Sequence, residues 1–341
     1  MMMKCQRSSL GRLANSTALA RRAVAKWPAG LRCNSVPSPT EVAKTHQDDA
    51  ALSEMLDVAI LAAEKGAAVV REALDRPRNI SFKGATDLVT ETDKASEEAV
   101  LTVLRRHFPQ HTLLGEEGGV SGNTNSPYLW CVDPLDGTTN FAHSYPAFAV
   151  SVGVVRGATP VAGCVVEFAG GPHAWTTRTF AAHKGRPTTC NGKPVRVSEV
   201  SEVRRSLLVT GFGYEHDEAW AANMELFKEF TDICQGVRRL GAAAVDLCHL
   251  SMGIVDAYWE YRLKPWDMAA GVIIAQEAGA IITTMDGRPF SVFERSMLAT
   301  NGHLHKEVLD ATAPKTKALL ERDVDLSPWF VPPGYDTSLY L

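Results

Sequence analysis

The sequence predicts a mixed α+β and α/β protein in two parts, a front part over residues 48–205 and a smaller back part over residues 206–312. Two observations predict it. Between Tyr145 and Phe180, β-branched and apolar runs alternate with Gly or Pro turns, the texture of a mostly antiparallel sheet. From about Ser206 onward, strand-like and helix-like segments take turns, the texture of an α/β unit. A cleft between two such parts is the expected place for a ligand.

Residues 1–45 stand apart from both. Met1–Thr40 contains no Asp or Glu, yet carries Lys4, Arg7, Arg12, Arg21, Arg22, Lys26 and Arg32 among Ala and Ser, and ends in the Pro-rich Val36–Pro39. This is the composition of an organelle transit peptide, disordered and outside the fold, and it lacks the apolar run of a secretory signal. A basic tail that is never cleaved has the same composition.

The elements follow in order. From Asp48 to about Asp75, Leu52, Met55, Leu56, Ala59, Ala62, Ala63, Ala67 and Val70 recur at helical spacing until Arg76-Pro77 stops the run. Ile80–Lys83 is a short extended piece. The mixed stretch Asp87–Asp93 leads into a second helix with Ala95, Val100, Val103 and Leu104 inward, and Thr92 or Asp93 is its expected N-cap. Thr112–Gly115 is a short strand ending on Glu116-Glu117-Gly118-Gly119. Tyr128–Val132, almost wholly apolar, is a buried strand that delivers Asp133 and Asp136 to a turn built around Pro134 and Gly137. Strands at Tyr145–Val155, Pro160–Phe168 and His173–Phe180 follow, and Asn191-Gly192 marks a hairpin. The back part reads as strand Leu207–Thr210, helix Asp217–Cys234, strand Val237–Leu240, helix Ala242–Met252, strand Val255–Tyr261, helix Asp267–Glu277, and strands near Ala280–Thr284 and Met297–Thr300. Residues 313–341 read as a loose extension with an aromatic anchor at Trp329-Phe330.

Composition narrows the function classes. The formal net charge of −4 gives no sign of a nucleic-acid surface, and no apolar run approaches the roughly 18 residues of a membrane helix. Seven cysteines, scattered without a Cys-x-x-Cys pair, read as reduced thiols rather than a zinc site or a disulfide frame.

The chemistry gathers at element ends. Two like charges three positions apart, leaving a core strand together, repel unless a cation sits between them, and Gly137 with Thr138 and Thr139 offers N–H groups and hydroxyls at a helix start, where anions bind. Taken alone, Asp-Pro-Leu-Asp-Gly is equally an ordinary surface turn. Asp93 alone reads as a helix cap, Glu116-Glu117 as a solvated pair, and Asp267 as a cap after its Pro-containing turn. Together, Asp93, Glu116, Asp133, Asp136 and Asp267 are five carboxylates without His or Cys, a donor set that suits Mg²⁺ and is acidic enough for two or three ions.

Lys83 with Asp87–Asp93, Gly115-Glu116-Glu117, Asp133–Asn140 and Trp266-Asp267 resembles the motifs of the inositol monophosphatase family, over roughly Asp48–Ala311. Gly211–His216, Arg238–Ala244 and Ser327–Phe330 further resemble its plastid-type members in plants and algae. The resemblance implies a layered sandwich of alternating α-β-α-β-α layers and a Mg²⁺-dependent hydrolysis of a small phosphate monoester. Ions would be held by Glu116, Asp133, the Leu135 carbonyl, Asp136 and Asp267, with Asp136 bridging. Asp93 and Thr138, counted with Glu116 as catalytic, would position and deprotonate water. Gly137 and Thr138 would receive phosphate, while Gly241, Ala242, Ala243 and Glu260 would meet the alcohol. Lys83 and Glu117 would balance charge behind the ligands. Ala242 stands where some members carry Thr, which leaves the alcohol open. Chloroplast, with mitochondrion as the alternative, a homodimer and inhibition by Li⁺ are also implied.

The leading expectation is a myo-inositol monophosphatase without a Ser, Cys or His nucleophile. Histidinol phosphate or a hexose or galactose 1-phosphate would keep the chemistry and change the alcohol; bisphosphates rank lower because Glu260 would repel them. A catalytically silent metal-binding protein on the same fold is the reading from another class, disfavoured because the ligand set is unbroken.

Overall fold

The computed structural model describes residues 39–74, 80–82 and 88–337. Lys83 and residues 1–38 of the basic N-terminal segment lie outside them. The chain divides at Ala43, within the first helix, and Lys44–Leu341 forms the compact unit that carries the core and the site described below.

Helix α1 (Pro39–Ala73) is followed by a ribbon of β1 (Ile80–Phe82) and β2 (Leu88–Thr90), then by α2 (Glu91–His107). Next come β3 (Thr112–Gly115), β4 (Gly119–Gly122), β5 (Tyr128–Asp136), the short α3 (Thr138–Ala142), β6 (Phe148–Arg156), β7 (Thr159–Ala169), β8 (Thr176–His183), β9 (Thr189–Cys190) and β10 (Lys193–Pro194). These strands form one eight-stranded sheet in the order β10-β9-β8-β7-β6-β5-β3-β4. It is antiparallel throughout except where β3 pairs parallel to β5. Asn191 and Gly192, both at positive φ, close the β9–β10 hairpin as expected of an Asn-Gly turn.

The back part runs β11 (Leu207–Thr210), α4 (Glu218–Ile233), β12 (Gly236–Arg238), α5 (Ala243–Ser251), β13 (Ala257–Tyr261), α6 (Pro265–Glu277), β14 (Ile281–Thr283), β15 (Ser296–Thr300) and α7 (His305–Glu321). Its five strands are ordered β12-β11-β13-β15-β14.

The two larger sheets and helices α1, α2, α4, α5, α6 and α7 stack as α-β-α-β-α. Ala59, Ala63 and Val70 of α1 and Val100 and Leu104 of α2 pack on Trp130, Phe148 and Val150 on one face of the large sheet. On its other face Val165 and Phe180 meet Val245 and Cys248 of α5 and Ile273 and Ile274 of α6. The opposite sides of α5 and α6 meet Val209, Tyr258 and Met297 of the small sheet. Leu226 and Phe230 of α4, with Val308 and Leu319 of α7, close the outer face over Trp259 and Leu298. Strands covered on both faces lose polar alternation, which is why β6 reads Phe-Ala-Val-Ser-Val-Gly-Val-Val.

Three expectations are corrected. The N-cap of α2 is Thr90, two or three residues before those expected, and Asp93 sits at the third helical position, accepting the Thr90 N–H at 2.9 Å to close a capping box. Asp267 likewise lies inside α6, whose N-cap is Lys264. Helix α7, absent from the sequence reading, continues past Ala313 to Glu321, and the residues after it are docked on the body rather than loose.

Helix α6 approaches the large sheet over a glycine pair, Gly153 and Gly163, which face each other across β6 and β7. A Cβ at Gly153 would lie 2.5 Å from the Ala270 nitrogen, and one at Gly163 2.7 Å from the Ala270 Cα. Backbone has no rotamer with which to yield. Gly163→Val is therefore expected to cost about 1–3 kcal/mol in denaturant unfolding; a variant as stable as the parent would show that α6 has room to retreat.

Candidate active site

The apolar residues of β5 carry the chain through the core and release it at Asp133, where the pairing with β6 shifts register before Asp136. Both carboxylates remain buried, 3% and 7% exposed. Asp133 Oδ1 accepts the Leu135 N–H at 3.0 Å. Asp136 accepts the N–H groups of Ala243 at 3.1 Å and Ala244 at 2.8 Å, the first two residues of α5. A carboxylate satisfies donors there that lack intrahelical partners and lies favourably in the helix dipole. The Ser96 hydroxyl on α2 holds the Pro134 carbonyl at 2.8 Å and fixes the turn from below.

Gly137 follows at φ 84°, and a Cβ there would fall 2.9 Å from the Ala147 carbonyl oxygen. Thr138 opens α3 and its hydroxyl donates to Asp93 Oδ1 at 2.9 Å, across 45 residues of sequence. The other Asp93 oxygen accepts from Thr90, so capping and pairing with Thr138 use different oxygens. Burial raises the Asp93 carboxyl above its ordinary range and the charge of Glu116 adds to it, against the bonds from Thr90 and Thr138. Asn140 ties this turn to the back part, donating to the Leu240 carbonyl at 2.8 Å and to Ala147 O at 2.6 Å.

These groups open on a cleft of about 420 Å³. Glu116, Asp133, Leu135, Asp136, Gly137, Thr138 and Asp267 line it, together with Gly241, Ala242, Ala243 and Glu260. Eleven residues expected at the site thus share one cavity, and Asp93 reaches it through Thr138. Glu117 does not line it; its N–H bonds Glu97 Oε2 at 2.9 Å, beneath the loop that carries Glu116.

Electrostatics mark the carboxylates. Burial pushes Asp133 and Asp136 well above the usual carboxylate range, and Glu116, Asp267 and the two groups themselves push further by repulsion. Among the described residues no three His, Cys, Asp or Glu side chains are drawn closely enough to clasp an ion. Asp267 Oδ2 accepts the Lys264 N–H at 2.7 Å. Burial, with repulsion from Asp267, pushes Glu260 up to about 7, against the Tyr258 hydroxyl and the Arg239 guanidinium, which favour the carboxylate. Glu260 lies directly on Gly211, where a Cβ would sit 2.0 Å from Oε2.

The profile of the inositol monophosphatase family matches residues 51–319. The chain belongs to this family. Phosphatase IMPL1, chloroplastic, of Arabidopsis thaliana is 60% identical over 287 residues, covering 84% of this chain and 77% of that protein. The inositol-1-monophosphatase of Synechocystis is 39% identical over 77% of this chain and 90% of its own. The inositol monophosphatase structure from Anabaena aligns at a TM-score of 0.67 and 42% identity, covering 76% of this chain and 95% of that one. The protein is accordingly a phosphatase of a metal-dependent family, similar to its plastid-type members in plants.

Sequence reasoning missed several residues. Glu97 lies beneath Gly115, where a Cβ would meet it at 2.4 Å; its signal was a polar residue on the inward face of α2. Arg239, Phe212 and Tyr214, which fall in the stretches that resemble plastid-type members but were given no role, line the cleft with Arg262, Lys264 and Trp220. Asp246 on α5 is 1% exposed, and both its carboxyl oxygens are buried without a hydrogen-bond partner.

Burial, and then the charges of Glu260 and Asp136, raise the Asp246 carboxyl well above its ordinary value. An acid weakened by folding gives up its proton first in the unfolded chain, so stability falls as pH rises from about 4 toward the folded value. Asp246→Asn is expected to raise the melting temperature more at pH 8 than at pH 4, which thermal unfolding at the two pH values measures. Parallel curves for variant and parent would refute this.

Proposed function

We propose that this phosphatase hydrolyses myo-inositol monophosphate to myo-inositol and phosphate with Mg²⁺ as its cofactor. The observation that carries the reading is the Thr138–Asp93 hydroxyl–carboxylate pair at 2.9 Å, set beside four further carboxylates and the opening turn of α3. A hydroxyl that donates to a carboxylate keeps its lone pairs free to accept from water. The pair is thus built to orient water and to pass its proton toward Asp93, whose raised affinity for protons suits a general base.

Glu116, Asp133, the Leu135 carbonyl, Asp136 and Asp267 would hold two or three ions, and the fit rests on an all-oxygen, acidic donor set of which Asp133, Leu135 and Asp136 are buried. Bound there, Mg²⁺ would neutralise phosphoryl charge and make water more acidic. The N–H groups at Gly137 and Thr138 would receive phosphate oxygens, since the first N–H groups of a helix lack partners within it. Gly137 owes its place to its positive φ. Glu260 would accept hydrogen bonds from the hydroxyls of the alcohol, and Gly241–Ala243 would border its ring.

A second reading keeps the chemistry and changes the alcohol. It draws support from the cleft wall, where Ala242 offers no hydroxyl and Phe212, Tyr214 and Trp220 present rings. Action in the chloroplast is supported by the acid-free basic N-terminal segment and by the name of the Arabidopsis relative. A homodimer is proposed from family membership, and light scattering of the purified chain would check it.

Phosphate release from a panel of inositol, histidinol, hexose and galactose phosphates, with and without Mg²⁺, tests the reading. Inositol monophosphate is expected to turn over fastest and only with the metal. Asp136→Asn and Asp267→Asn are expected to abolish turnover without loss of the circular-dichroism spectrum; near-parental rates would sink the assignment. Thr138→Ala and Asp93→Asn are expected to lower kcat by about 10²–10⁴.

A further inference from the structure

We infer that residues 322–337 form a strap that sets the position of Asp267 and thereby the affinity of the site for its metal. The inference rests on the proposed role of Asp267 as a ligand. The family match ends at residue 319, two residues before α7 does, so the strap lies beyond it.

The strap grips one turn of the protein, Arg262 to Trp266, at three successive points. Arg262 Nη1 donates to the Asp325 carbonyl at 2.8 Å. Trp329 Nε1 donates to the Leu263 carbonyl at 2.9 Å. The Phe330 ring meets the Trp266 ring edge-on at 4.9 Å. The same turn lines the cleft with Arg262, Leu263 and Lys264, and the Lys264 N–H bonds Asp267 Oδ2 at 2.7 Å. A displacement of the turn therefore moves the carboxylate with it.

The grip is anchored from outside. Arg295 lies over the Trp329 ring at 4.5 Å and pairs with Asp325 at 3.1 Å, while the Trp329 N–H bonds the Phe293 carbonyl at 2.9 Å. Arg262 and Phe330, neither of them glycine, are held at φ 68° and 56°. Side chains reach such backbone conformations where surrounding contacts impose them. Arg262 also holds Asp217, the N-cap of α4, at 2.6 Å, so the gripped turn is braced against the helix that carries the rim residue Trp220.

A cover for apolar surface would stabilise the protein without regard to the metal; a positioning strap changes metal affinity in proportion to its hold on the turn. The two separate at the far anchor, where Tyr335 donates to the Pro127 carbonyl at 3.1 Å, at the end of β5 remote from Asp133.

Mg²⁺ is titrated calorimetrically into the full-length chain and into Trp329→Phe, Trp329→Ala and Tyr335→Phe, and each is melted without metal. Trp329→Ala is expected to weaken Mg²⁺ binding about 10-fold, the scale for losing groups that orient ligands. Trp329→Phe, which removes the indole N–H that bonds Leu263 and keeps an aromatic ring for Arg295, should weaken it less, and Tyr335→Phe should lower the melting point with parental affinity. Parental affinity in Trp329→Ala, or an equal loss in Tyr335→Phe, would overturn the strap. A parent chain that takes up no Mg²⁺ would overturn the reading of Asp267 as a ligand and the strap's role with it.

Discussion

The burial of Asp133 and Asp136 at the end of one core strand is the constraint on which the rest of this structure depends. Two like charges in so dry a place cost free energy that hydrophobic packing cannot return. The fold offsets part of it with peptide dipoles: Leu135 donates to Asp133, and the first two N–H groups of α5 donate to Asp136. The remainder is a demand for positive charge, which suits the ion-holding role proposed for Asp133 and Asp136.

The layers explain how distant residues meet there. Helix α2 packs on one face of the large sheet and α6 on the other, so Asp93 and Asp267 reach the same strand end from opposite sides. Gly153 and Gly163 let α6 lie close enough for this, and Gly66 does the same between α1 and α2, where a Cβ would meet Ser96 and Val100 at 2.8 Å. Small residues under the helices thus set distances between charged residues at their ends. Packing and electrostatics are one problem here, because a helix pushed out by a methyl group would carry its carboxylate away.

Most of the site was legible because metal and phosphate chemistry restricts residue types. Carboxylates at the ends of apolar runs, next to glycine and threonine, have few other reasons to recur, and the strands that carry them are marked by uninterrupted apolar runs. Geometry set by long-range contacts was not legible. The cap of α2 falls at Thr90 because Asp93 turns one oxygen back to it and the other toward Thr138, a division that spacing does not reveal. Helix α7 was hidden by Pro314 and by Thr312 and Thr316 on its inward face. Those hydroxyls find the Met285 carbonyl and the Tyr261 hydroxyl, partners far away in sequence. Glu97 and the strap were missed for the same reason: each acts on a loop it meets only in the folded chain.

The cleft is lined by two kinds of group. Asp133, Asp136 and Gly137 are tied to backbone, where substitution meets main chain that has no means of yielding. Side chains of the back part line it as well: Glu260 seated on Gly211, Arg239 opposing its charge, and the rings of Phe212, Tyr214 and Trp220. Such side chains can be exchanged without moving the backbone that holds the carboxylates. In the proposed reading the hydrolytic groups are therefore fixed by the fold, while the choice of alcohol rests on residues that can change around them. Burial raises the Glu260 carboxyl to about 7, so a change of its charge near neutral pH would alter the hydroxyl recognition proposed for it.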